Sequence, residues 1–132
     1  MSHFATSDHI ASWAGLCPGN NQSGGKRGKG KTRNGNAWLC STLVQVARGS
    51  ARSKGNYLSA QYHRLVGRRG DQRAIVAVAH SILVIIYNML KKGTSYQDLG
   101  AQYFDERGKE HVLSRFVKRI EALGYKVDLQ VA

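Results

Sequence analysis

The chain has 132 residues, and its 20 Lys and Arg against 8 Asp and Glu give a formal net charge of +12 and a pI of about 10.2. This length suits one domain and excludes a large multidomain enzyme. The 42% apolar content is sufficient for a core and argues against a disordered chain. The charge excess predicts a polyanionic partner, above all nucleic acid, because each neutralised phosphate releases condensed counterions. An anionic membrane surface is the alternative.

A short helix and a glycine-rich loop open the chain. Residues 8–14 are expected to be helical, with Thr6 or Ser7 as the cap and Gly15 as the stop. Residues 16–36 contain the only proline and six glycines. That composition is typical of a loop or of short strands.

Residues 37–124 form the predicted helical region, so the expected fold class is mainly α. Helices are expected at 36–53 and 56–69, where apolar side chains recur at helical spacing. A long apolar helix should follow, capped by Asp71 and ending near residues 92–93. Thr94-Ser95-Tyr96-Gln97 has the pattern of a capping box that opens a short helix through residue 103.

The last predicted helix covers residues 106–123, and residues 125–132 alternate like a short strand or form a tail. Four side chains of that helix share its predicted inward face, namely Leu113, Phe116, Val117 and Ile120. The apolar residues 74–90 are nearly long enough to span a bilayer, but a central buried helix is the favoured interpretation. His80 is then a core histidine. Trp13 and Trp38 flank the loop and are favoured as packing anchors over base-stacking platforms.

The positive charge is concentrated in residues 26–73, which hold 12 Lys or Arg and a single acid, Asp71. Solvated helical surfaces usually interleave both signs, so this stretch predicts a surface that faces phosphates. The candidate nucleic-acid contacts are Lys26, Arg27, Lys29, Lys31, Arg33, Arg48, Arg52, Lys54, Arg64 and Arg68.

The glycine loop does not fit the known nucleotide-binding patterns. Gly19 and Gly24 have P-loop spacing, but Gly25 displaces the lysine to Lys26, and Arg27 stands where a magnesium-binding hydroxyl is needed. The loop instead places Ser23 beside two glycines and a cationic cluster. A serine held against a phosphodiester is the nucleophile of DNA strand exchange. From the residues alone, a flexible basic loop with an ordinary turn serine is favoured over that nucleophile.

The order AGLCPG, SGGK and GN, together with the later segments HSILVIIYNML and YQDLGAQYF, resembles the C-terminal domain of transposases of the insertion-sequence 110 and 1111 group, the IS116/IS110/IS902 type. The resemblance implies that Ser23 attacks a DNA phosphate and forms a covalent phosphoserine link. It also implies that Lys26 and Arg27 contact phosphate. The partners implied are DNA, a guide RNA, and either further copies of the chain or a full-length transposase, without a membrane, in the bacterial cytoplasm at the nucleoid.

Two departures qualify this resemblance. The family's RuvC-like domain, whose acids hold magnesium, is absent, so no cofactor is expected in this chain and the isolated chain is expected to be inactive. Cys40 also stands where the family commonly has arginine. The chain is therefore expected to be a remnant or an internally started product of a transposase gene. The alternative is a non-catalytic basic helical module that binds nucleic acid or regulates full-length transposase.

Overall fold

The computed structural model describes residues 3–18, 22–27, 32 and 34–130. Within them the chain is mainly helical, which confirms the predicted fold class. The helices are α1 (Ser7–Trp13), α2 (Ala37–Arg52), α3 (Tyr57–Arg69), α4 (Asp71–Lys92) and α5 (Tyr103–Glu121). A two-stranded hairpin of β1 (Gln22–Ser23) and β2 (Lys26–Arg27) lies between α1 and α2.

Helix α4 is the centre of the core and packs against α1, α2 and α3. Its buried side includes Val78, which is fully enclosed, and Ala79, whose small side chain allows close helix approach. The opposing helices contribute Leu43 and Ala47 to the same core. By length and composition α4 could also cross a membrane, with a mean hydropathy of 1.8, but 39% of that apolar stretch is buried inside the fold. The buried side of α4 is used for helix packing.

Asparagine side chains begin the two helices that follow the loop. Asn36 Oδ1 accepts a hydrogen bond from the Leu39 backbone N–H at 2.9 Å, and Asn56 Oδ1 accepts one from Ser59 N–H at 2.7 Å. Such caps satisfy the free N–H groups of a first turn and stabilise a helix by about 1 kcal/mol. The predicted starts of these helices are accordingly accurate to one residue.

Two helix-start predictions are wrong. The N-cap of α4 is Gly70 and makes no side-chain cap, whereas Asp71 is the first helical residue and turns its carboxylate to other partners. Residues 94–100 form no helix, although Thr94 and Gln97 have capping-box spacing. Here the Asp98 carboxylate accepts from the Gly100 N–H at 2.6 Å, a local bond that competes with helix formation.

The chain divides into two compact units, an amino-terminal unit (Met1–Ala101) and a carboxy-terminal unit (Gln102–Ala132), and the single domain stays a prediction. In the carboxy-terminal unit the predicted inward face of α5 is not buried, since Phe116 is 51% exposed and Leu113 and Ile120 are exposed as well. That unit holds no second described element on which the face could pack. Residues 125–130 form no strand, because an isolated strand without a partner is unstable.

Candidate nucleic-acid interface

The SGGK motif forms a tight β-hairpin. Ser23 pairs with Lys26 across the two strands, and Gly24 and Gly25 make the turn with φ values of 56° and 75°. Positive φ at both central residues defines a type I′ turn, whose twist matches that of the flanking strands. A Cβ on either glycine would meet only open space, so the backbone conformation and not crowding requires glycine here.

This register places the predicted nucleophile beside a cation. Residues directly opposite in an antiparallel pair have their Cβ atoms about 5 Å apart on the same face. The Ser23 hydroxyl and the Lys26 ammonium group therefore share one face of the hairpin, and both residues are exposed. One phosphate group can contact both side chains.

The two ends of the loop are fastened together. The Asn36 backbone N–H donates to the Trp13 carbonyl at 3.1 Å, and Pro18 and Thr32 form an antiparallel bridge. Gly35 lies so close to Gly15 that a Cβ at position 35 would collide with the backbone of residues 14 and 15. These contacts close the base of the loop between α1 and α2.

The structure places only some of the predicted loop cations. Lys26 is exposed in β2, and the backbone of Arg27 pairs with that of Gln22. Lys29, Lys31 and Arg33 lie outside the described residues.

The helical cations lie exposed on α2, on α3 and in the connection between them. Arg48 and Arg52 are one turn apart on α2, and Arg64 and Arg68 are one turn apart on α3. Lys54 follows α2 and is also exposed. Side chains four residues apart share a helix face, so each pair can contact adjacent phosphates.

Asp71 partly compensates the positive charge of this surface, although its place before α4 predicts a helix cap. Its carboxylate lies 3.5 Å from an Arg48 guanidinium nitrogen and accepts a hydrogen bond from the Tyr62 hydroxyl at 2.8 Å. The bond to Asp71, followed by desolvation, raises the pKa of Tyr62. Both ionic side chains are about half exposed, so the pair itself adds little stability. The position of Asp71 as the one acid in residues 26–73 was the signal for a counter-charge.

The exposure of Trp38 contradicts a further prediction. Its side chain is 77% exposed at the first turn of α2, directly after the loop, so the packing-anchor interpretation is wrong for it. Trp13 is 50% exposed and packs its ring against Phe4 with a centroid distance of 5.5 Å. An exposed indole beside a basic loop is a surface on which a base can stack.

The Asp98 carboxylate fastens the irregular residues 94–100 to the start of α3. Its Oδ1 accepts from the Tyr57 N–H at 3.1 Å, and its Oδ2 accepts from the Tyr96 hydroxyl at 2.8 Å. Desolvation acts to raise the pKa of Asp98, but these bonds and the one from Gly100 hold it below its ordinary value. Desolvation is the larger cause and the hydrogen bond to Asp98 is the second, and together they raise the pKa of Tyr96 to about 12.

Replacing Asp98 with alanine is expected to lower the free energy of unfolding at pH 7 by about 1 kcal/mol, the usual effect of losing a helix-capping side chain. A carboxyl with a lowered pKa stabilises the fold above its unfolded pKa near 4 and ceases to do so as the pH falls through its folded pKa. Urea unfolding should therefore show a difference between the two proteins at pH 7 that narrows below pH 4.

The matched control is Asp128→Ala, which removes the same charge from an exposed position in the carboxy-terminal unit. It should change the unfolding free energy at pH 7 by well under 1 kcal/mol. Equal stability of Asp98→Ala and the parent protein at pH 7 would contradict the stabilising role of the Asp98 carboxylate.

Metal-binding groups do not cluster in the described part of the chain, where no group of three His, Cys, Asp or Glu side chains could hold an ion. Cys17 and Cys40 are free and partly buried, and burial followed by the nearby Asp8 raises the pKa of Cys17.

Fold and site together define a class: a basic, mainly helical protein that displays a serine-bearing hairpin from a closed loop base. Residues 1–63, slightly less than half of the chain, match the family model of the Transposase IS116/IS110/IS902 family. The match covers α1, the hairpin, α2 and the first half of α3. No curated protein and no solved structure matches the chain. The chain is thus transposase-related through the segment that carries Ser23.

Proposed function

We propose that the chain is the DNA-binding part of a transposase and that Ser23 is its nucleophile for strand cleavage and exchange. The observation that carries the proposal is the hairpin register, which sets the Ser23 hydroxyl directly opposite Lys26 at an exposed tip. The tip lies within the family-matched segment.

The proposed step is a transesterification. A bond forms between Ser23 Oγ and phosphorus while the bond from phosphorus to one deoxyribose oxygen breaks. The proton lost by the serine is balanced by the proton that the departing deoxyribose oxygen takes up. Lys26 stabilises the negative charge that develops on the phosphoryl oxygens. Strand exchange is the reverse reaction with a different deoxyribose hydroxyl.

A RuvC-like domain, supplied by full-length transposase, completes the active centre in this proposal and holds the magnesium ion. The test is covalent trapping on a nicked DNA substrate with and without such a partner. The adduct should form only when this chain and the RuvC-like partner are both present with the nicked DNA. An adduct formed by the isolated chain would overturn the need for the partner.

The basic surface is proposed to bind the DNA backbone, and a salt titration tests it. Arg68→Gln is expected to reduce the slope of log K against log salt by about 1, since one phosphate contact is lost. Arg48→Gln should reduce it less, because Arg48 is already paired with Asp71 in the free protein. Asp71→Asn should increase the affinity. Fluorescence anisotropy of a labelled duplex between about 50 and 200 mM salt measures all three.

The control for this series is Lys126→Gln, which makes the same charge change in the carboxy-terminal unit, outside the proposed surface. Its slope should equal that of the parent protein. Identical slopes for Arg68→Gln and Lys126→Gln would remove α3 from the interface.

The second part of the proposal is that the chain associates with further copies of itself or with full-length transposase. A guide RNA would bind the same basic surface as the DNA. The exposed stripe of Leu113, Phe116 and Ile120 on α5 supports association. The first turn of α5 is acidic and its last turn is basic, so two such helices fit each other in antiparallel orientation. A chain that associates without cleaving DNA would act as a regulator in the cytoplasm, at the nucleoid. Regulation by association without cleavage is therefore the alternative function.

A further inference from the structure

A groove of about 640 Å³ lies in the amino-terminal unit between α4 and the irregular residues 94–99. The volume falls within the range of roughly 300–1,000 Å³ that small-ligand sites have. Its floor is apolar and includes Met89 and Ile85, and its walls include Tyr57 and Tyr96. The groove is distinct from the Ser23 hairpin and from the cations of α2 and α3.

We infer that this groove binds an unstacked nucleobase of a single-stranded DNA or RNA segment. The inference rests on the proposed function, since it gives the nucleic acid a second contact beyond the basic surface. Aromatic rings beside an apolar floor accept the face of any base, because every base has a π-face.

One carboxylate anchors the Tyr96 ring and fastens its segment to the backbone at the start of α3. Asp98 binds the backbone N–H of Tyr57 through one oxygen and the hydroxyl of Tyr96 through the other. A ring whose hydroxyl is anchored in this way loses little freedom when a base packs against it.

The polar lining suits the edge of a base. Asn88 donates through Nδ2 to the Val84 carbonyl at 2.9 Å, which orients its amide within the groove wall. Gln97 adds a second amide to the lining. Amide side chains both donate and accept, which is what the Watson–Crick edge of an unpaired base requires.

A cation at the groove supplies the contact to phosphate. Lys92 is exposed and lines the groove at the end of α4. Its neighbour Lys91 is engaged elsewhere, since its Nζ donates to the Ala5 carbonyl at 2.9 Å and to the Tyr87 hydroxyl at 3.0 Å. A positive charge that can pair with the phosphate of a nucleotide is thus present at this position. A neutral apolar peptide would leave Lys92 without a counter-charge.

Methyl NMR on the full chain tests the groove directly, because the chain has two methionines and Met89 lines the groove. Added trinucleotide is too short to cover the basic surface and should shift the Met89 methyl signal. Tyr96→Ala and Lys92→Gln should each weaken this binding at least tenfold, and Tyr96→Phe, which keeps the ring, should weaken it less. Ribose and deoxyribose trinucleotides compared side by side distinguish RNA from DNA as the source of the base.

The controls are Leu90→Ala, which alters an exposed residue beside Met89 that does not line the groove, and Lys126→Gln. Neither should change trinucleotide binding. The inference is overturned if trinucleotide does not shift the Met89 signal, or if the signal shifts equally in Tyr96→Ala. Salt-dependent binding of a long duplex would in that case still support the proposed function. A shift of Met89 without any duplex binding would support the groove and overturn the proposed function.

Discussion

Alanine at position 23 is expected to abolish covalent capture of DNA, with a loss of at least about 10³-fold, because a methyl group cannot form the phosphoester bond. Ser23 is exposed at the hairpin tip, so its hydroxyl supports no packing and the variant should fold normally. The measurement is the yield of protein–DNA adduct on denaturing gels, with nicked DNA and a RuvC-like partner present. Duplex affinity should stay within twofold of the parent protein.

Two further variants sharpen this result. Lys26→Gln keeps the nucleophile but removes the opposite cation, and a loss of about 10²-fold in the rate of capture is expected from the stabilisation of phosphoryl charge. Ser53→Ala removes an exposed hydroxyl at the end of α2 and should leave capture unchanged. An equal adduct yield from Ser23→Ala would end the assignment of the nucleophile, and no adduct from either protein would leave the non-catalytic alternative.

Alanine at position 35 is expected to have the largest effect on stability, lowering the free energy of unfolding by about 3 kcal/mol. A Cβ there collides with the backbone of Ala14 and Gly15, and backbone atoms cannot move aside as a flexible side chain can. Overpacking of this kind costs about 1–3 kcal/mol, and separating the loop base also removes the hydrogen bond from Asn36 to Trp13. Chemical denaturation followed by circular dichroism measures the change.

Gly49→Ala is the matched control for this prediction. Gly49 lies inside α2, and a Cβ there meets nothing within 4 Å. Alanine should stabilise the helix by about 0.5–1 kcal/mol, since glycine is the weaker helix former. Opposite signs for the two substitutions are the expected result, and a stability loss that is the same for both would contradict the close contact of Gly35.

Local chemistry predicted much of the helical fold correctly. Asn36 and Asn56 are good caps because their side chains reach the N–H groups three residues on, an interaction that lies within one turn. Gly93 ends α4 in the left-handed conformation that glycine adopts most easily. The glycine-rich composition around Ser23 likewise indicated a loop or short strands, and the hairpin there consists of two short strands joined by a glycine turn.

Predictions that depended on partners distant in the sequence were less successful. The pattern at Thr94 and Gln97 is compatible with a capping box, but Asp98 instead binds the backbone N–H of Tyr57, 41 residues earlier in the chain. Asp71 had cap chemistry, yet its carboxylate bonds to Tyr62 and Arg48. The apolar stripe of α5 predicted burial, but helical periodicity only identifies a face and does not supply the surface that covers it.

The sequence by itself determined the class of fold, the helix starts at Asn36 and Asn56, the glycine-rich loop that carries Ser23 and the one-sided positive charge. These features arise from interactions within a few residues or from composition alone. The tertiary structure decided the rest: the closure of the loop base at Gly35, the role of Asp71 as a counter-charge, and the attachment by Asp98 of the segment beside the groove to the start of α3. Each of these joins residues far apart in the chain, and only the packing of α1, α2 and α3 on α4 brings such groups within bonding distance.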